Sequence, residues 1–98
     1  MAKIDNNFFK RADEHIHLSN EQLSTASRGK VSASMMYSVA RFNAWISACG
    51  FDNSKQMNEA KEETIEYFVK EYAKMLRENF EDYIENFDEY MKPKWNEN

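Results

Sequence analysis

Residues 51–92 read FDNSKQMNEAKEETIEYFVKEYAKMLRENFEDYIENFDEYMK, without a glycine or a proline. Gly50 precedes this stretch, Pro93 follows it, and Gly29 is the only other such residue in the chain. Glycine and proline are the strongest local breakers of regular structure. Three segments rich in helix formers lie between them, and the last is much the longest. The expectation is an all-α fold: a three-helix, bundle-like arrangement with a long C-terminal helix.

That third helix is expected to begin near Asn53 or Ser54. Its apolar stripe runs Ile65, Phe68, Tyr72, Leu76, Phe80, Tyr83, Phe87, Met91. Steps of three and four residues are helical and approach a coiled-coil seam. Val69, Met75 and Ile84 widen the stripe, and Glu66 with Lys70 makes a favourable i,i+4 pair opposite it. The stretch from Lys92 to Asn98 reads as a flexible C-terminal tail. Residues 1–91 are then one helical domain.

Working outward, Ser32 is read as the cap of the second helix and Gly50 as its stop. Met35, Val39, Phe42, Ile46 and Cys49 make a large apolar stripe. Ala33, Tyr37, Ala40, Ala44 and Ala48 make a small one. A helix apolar on two sides is usually buried on two sides, so this one is expected at the centre. The first helix is expected to start at Asp5, Asn6 or Asn7 and to stop at Gly29, with Phe9, Ala12, Ile16, Leu23 and Ala26 on its inner face. Ser19 and Asn20 interrupt that face.

Length makes the C-terminal half informative. At about 1.5 Å per residue, the third helix spans roughly 55 Å and each of the others no more than about 30 Å. The segment from Glu78 to Met91 therefore overhangs, and it carries Phe80, Tyr83, Ile84, Phe87 and Met91. Apolar surface of that extent normally has a partner. The same segment holds Glu78, Glu81, Asp82, Glu85, Asp88 and Glu89 with no base among them. Like charges at i,i+4, near the negative end of a helix dipole, break a local rule. Breaks of that kind mark function or a helix break, and Asn79 is the expected place for one. Three arrangements would cover the overhang: a fold-back at Asn79, pairing of two copies, or a separate protein, which the acidic run would select to be basic.

Composition bounds the remaining classes. Ninety-eight residues make one small domain, and fourteen aromatics argue against disorder. The net charge is −4, with −6 on residues 51–98 and +2 on residues 30–50. Such a chain, without a basic stripe, is a poor binder of nucleic acid or anionic membrane. No run approaches the roughly 18 apolar residues of a membrane span. Residues 1–5 carry no apolar signal core, and one cysteine, Cys49, fits a reducing compartment. A cytoplasmic location is expected.

Catalytic motifs are weak. His15 and His17 lie about 200° apart around a helix and cannot share an ion. Glu14 with His17 has the Glu-x-x-His spacing of di-iron bundles, but the second such motif that site needs is missing. Gly29-Lys30 lacks the flanking Gly and Ser or Thr of a phosphate loop. Cys49 reads as a small apolar core residue. No catalytic residue, metal site or cofactor is assigned. Arg41 is the lone charge inside an apolar helix. It is read first as a rim arginine lying along Trp45 and paired with a carboxylate. The alternative is an anion or partner contact built by Lys30, Ser34, Ser38, Arg41 and Asn43.

Three stretches carry a resemblance: residues 28–34 (RGKVSAS), 40–44 (ARFNA) and 82–88 (DYIENFD). They resemble a family of small proteobacterial proteins known as domain of unknown function 3144, over about Phe8 to Met91. The resemblance implies a bacterial helical protein with no established activity and transfers no catalytic pattern. The expected role is a non-enzymatic protein–protein interaction module, docking through Phe80, Tyr83, Ile84, Phe87 and Met91. The alternative is a small-anion binder or enzyme accessory using the Arg41 surface.

Overall fold

The computed structural model describes residues 5–95, with side chains through Lys92. Five helices and no strand occur among the described residues. They are α1 (Phe8–Gln22), α2 (Arg28–Ala48), α3 (Ser54–Glu59), α4 (Lys61–Glu85) and α5 (Phe87–Trp95). The all-α expectation holds, but the third helix is three helices. The chain divides into two units, Met1–Gly50 and Phe51–Asn98.

In the first unit α1 packs against α2. Asp5 organises the start of α1. Its carboxylate accepts from the Asn7 amide at 2.8 Å and pairs with Arg11 at 2.9 Å. The Arg11 bond and the amide bond together hold the Asp5 carboxyl below its usual range. Gly29 does not stop this helix, which ends at Gln22. The next amides bond three residues back: Leu23 to Asn20, Ser24 to Glu21 and Thr25 to Gln22. The Ser24 and Thr25 hydroxyls also donate to the Glu21 and Gln22 carbonyls. Terminal carbonyls satisfied by hydroxyls need no left-handed glycine.

The cap of α2 also differs from the sequence expectation. Ser27, not Ser32, is extended at ψ 160°, and its Oγ accepts from the Lys30 amide at 3.3 Å. Gly29 falls in the first turn, where an added Cβ meets nothing within 4 Å. Ser27→Ala should therefore cost about 1 kcal/mol, whereas Ser32→Ala should stay within about 0.5 kcal/mol. Urea melts giving the two substitutions equal cost would return the cap to Ser32.

Burial corrects the view of α2 as a doubly buried centre. Val31 is the one buried residue among those described, and Met35 is half-buried. Phe42 is 58% exposed and Ile46 45%. On α1, Phe8, Ala12 and Ser19 are half-buried while Phe9 and Ile16 are exposed. The inner face is thus rotated from the one expected, and it includes the polar Ser19. A two-helix unit has one seam, so residues off that seam stay in solvent.

In the second unit, Asn53 caps α3 by accepting from the Gln56 amide at 2.9 Å, and Gln56 Oε1 accepts from the Asp52 amide at 2.8 Å. This reciprocal arrangement is a variant of the capping box. Breaks fall at Ala60 and Asn86, not at Asn79. Asn79 stays helical, its amide donating to the Met75 carbonyl at 2.8 Å. Electrostatics favours the observed positions. The break at Ala60 puts Glu62 and Glu63 in the first turn of α4, and that at Asn86 puts Asp88 and Glu89 in the first turn of α5. Asp88 and Glu89, which would oppose the dipole at the end of one long helix, instead sit at the positive end of α5. The helical backbone of α5 runs to Trp95, inside the stretch from Lys92 expected as a tail. Residues 96–98, and the side chains of 93–95, lie outside the described residues.

Candidate docking surface

The carboxyl-terminal end of α4 and the start of α5 hold the residues that the sequence singled out. Phe80 and Ile84, four residues apart on one face of α4, are 61% and 65% exposed. Phe87, at the start of α5, is about half exposed, and Met91 is half-buried. Tyr83 is also half exposed, but its ring meets Tyr90 edge-on at 4.9 Å, so it serves partly as a joint between α4 and α5. The five residues thus fall into an outward pair on α4 and a group nearer the joint.

Asp82 builds that joint. Its carboxylate accepts from the Tyr90 hydroxyl at 3.1 and 3.2 Å and from the Asn86 amide at 3.0 Å. Asn86 also donates to the Asp82 backbone carbonyl at 3.0 Å. The spacing of 82, 86 and 90 is four and four, one helical face, and this signal was in the sequence. Glu78, Glu81 and Glu85 make no ion pair among the described residues, so their charge is presented to solvent.

The hydrogen bond to Asp82 pushes the Tyr90 hydroxyl above its ordinary range, with smaller help from desolvation and neighbouring acids. Tyr90 donates only while neutral. A group whose folded value is raised stabilises fully below the unfolded value, near 10. That contribution disappears as pH rises through the folded value. In an alkaline titration followed by tyrosinate absorbance, Tyr90→Phe should remove the most alkaline portion of the rise. Asp82→Asn should move that portion toward pH 10. A titration curve unchanged in shape by both substitutions would remove the bond.

Arg41 lies on α2 in an open groove of about 600 Å³ lined by Tyr37, Ser38, Arg41, Phe42, Ala44 and Trp45. Phe42 and Trp45 rings are 5.6 Å apart, and Tyr37 and Trp45 are 68% and 62% exposed. Among the described residues Arg41 has no carboxylate partner, so the expected ion pair is missing. The other proposed anion contacts are only partly assembled. Ser38 spends its hydroxyl on the Ser34 carbonyl at 3.0 Å. Lys30 and Ser34 share the Arg41 side of α2 but do not line the groove. Asn43, two residues on, projects about 200° away from Arg41 and is half-buried.

The remaining candidates resolve simply. His17 contacts Glu21 at 3.4 Å, both well exposed, in a solvated i,i+4 pair. Cys49 is exposed, so the core role expected for it does not hold. Among the described residues no three His, Cys, Asp or Glu side chains converge as a metal would require. No described helix is long and apolar enough to cross a membrane.

The chain is similar to a solved structure, the NMR structure of the protein NB7890A from Shewanella sp. The two are 41% identical with a TM-score of 0.75, over 94% of this chain and 98% of that one. No protein of curated function matches significantly. A family sequence model matches residues 8–84, thereby covering most of the chain from the start of α1 almost to the end of α4. On that match the chain belongs to the family described as protein of unknown function, DUF3144.

Proposed function

We propose that this chain is a non-enzymatic protein–protein interaction module of the cytoplasm, and that the distal part of α4 is its docking surface. The carrying observation is the pair Phe80 and Ile84, each more than 60% exposed on one helix face. Large apolar side chains grouped on a surface and rimmed by charge mark interaction sites. The unpaired Glu81 and Glu85 beside them favour a partner with basic groups around an apolar patch. An enzyme would need a nucleophile, base or metal set, and none of the groups described above supplies one.

The test is affinity capture with the full chain against the Ile84→Glu variant. A protein held by the first and lost by the second supports docking. Identical retention by both removes this surface from the reading. A second reading, small-anion binding at Arg41, is favoured by the unpaired guanidinium in an aromatic groove. It requires anion-dependent thermal stabilisation that Arg41→Gln abolishes.

A further inference from the structure

The partner surface that the acidic end of α4 calls for is present in the chain itself. Residues 28–50, which include all of α2, carry Arg28, Lys30 and Arg41 and no acid. The groove on α2 sets Arg41 among Tyr37, Phe42 and Trp45. Residues 78–89 carry six acids and no base, and place Phe80 and Ile84 beside Glu81 and Glu85. One surface is apolar and basic, the other apolar and acidic.

We infer that a second copy of this chain occupies the α2 groove with the distal part of its α4, in a two-fold arrangement. This inference rests on the docking reading above. In such a dimer each α2 receives the other chain's α4, so both surfaces of both chains are used at once. An interface of this kind is self-complementary, with residue i on j and j on i. In this arrangement the acidic faces meet Arg41, not each other. Arg41 can fork onto a Glu81 or Glu85 carboxylate while Trp45 and Phe42 pack on Ile84 and Phe80.

The area is sufficient. Tyr37, Phe42, Trp45, Phe80 and Ile84 are each more than half exposed. With about 150–250 Å² for a fully buried aromatic, these anchors offer on the order of 500 Å² per chain. A standard interface buries roughly 800 Å² per partner, so these anchors account for more than half of it.

The experiment is sedimentation equilibrium of the full chain, of Arg41→Glu, of Glu81→Arg/Glu85→Arg, and of the two variants mixed. All the altered side chains are exposed, and circular dichroism checks that helix content is retained. The wild type is expected to dimerise, and each variant alone to dimerise at least tenfold more weakly. In the mixture every interface again joins opposite charges, so dimerisation should return to within about threefold of wild type. Arg41→Gln and Glu81→Gln/Glu85→Gln, which remove charge without reversing it, should weaken the dimer less and flatten its salt dependence. A wild type that stays monomeric at about 100 μM overturns the inference. So do variants that dimerise normally, or a mixture that does not recover, as when a chain satisfies Arg41 internally. A monomeric wild type whose captured protein is still lost by Ile84→Glu removes self-association and leaves the docking reading standing.

Discussion

Val31→Asp is expected to unfold the amino-terminal helix pair. Val31 is 7% exposed in the first turn of α2, the sole residue below the level of half-burial among those described. Taking a carboxylate out of water there costs about 3 kcal/mol or more. A domain of this size holds about 5–15 kcal/mol in all, so the loss is a large fraction of its stability. Val31→Ala removes two methyl groups and should cost about 1.5–3 kcal/mol through transfer and cavity formation. Phe42→Ala should cost under about 1 kcal/mol in dilute solution, despite its larger side chain, because most of the ring is already in water. Its cost should grow with protein concentration, since a bound copy stabilises the folded chain by mass action. Urea melts read by circular dichroism compare the three. A dilute-solution ranking with Phe42→Ala above Val31→Asp would make α2 the buried centre that its composition suggested.

Ile84→Glu and Phe80→Glu should each weaken association by at least about 30-fold, the effect of losing a contact of roughly 2 kcal/mol. Each replaces an apolar anchor with a charge beside charges of the same sign. Neither should reduce helix content, since both side chains point into solvent and glutamate is a good helix former. Glu85→Gln should change affinity only a few-fold and mainly reduce its dependence on salt, as expected for a charge at the rim. The readout is sedimentation of the chain by itself, or the Kd for a captured partner. Equal effects from Ile84→Glu and Glu85→Gln would place the anchors elsewhere.

Local chemistry explains which boundaries could be read in advance. The helix start near Asn53 or Ser54 was legible because an uninterrupted run of helix formers follows, and Asn53 is the cap there. Gly50 was foreseen as a stop, and α2 ends two residues before it. Gly29 is a frequent kind of helix stop, but α1 ends earlier, where the Ser24 and Thr25 hydroxyls satisfy the Glu21 and Gln22 carbonyls. With α1 ended early, Ser27 became the next free cap. The exposed apolar pair on α4 was legible for a related reason. Apolar spacing along α4 is set by residue identity, so Phe80 and Ile84 must share a face wherever the helix is continuous. The joint at Asp82, Asn86 and Tyr90 was legible only as a regular spacing; the break at Asn86 and the Tyr90 hydroxyl on the Asp82 carboxylate were not.

The sequence by itself determined that this chain is helical, that a helix ends just before Gly50 and another starts near Asn53, and which of its stretches are acidic or basic. These properties follow from propensity, capping and charge, which act over a few residues. Only the tertiary structure decided that the long carboxyl-terminal run is three helices and that, among the described residues, Val31 alone is deeply enclosed and Arg41 stands without a carboxylate. Those outcomes depend on which surfaces meet. A stripe of apolar residues states that something should cover it, but periodicity is the same whether the cover is a neighbouring helix, a second copy or water.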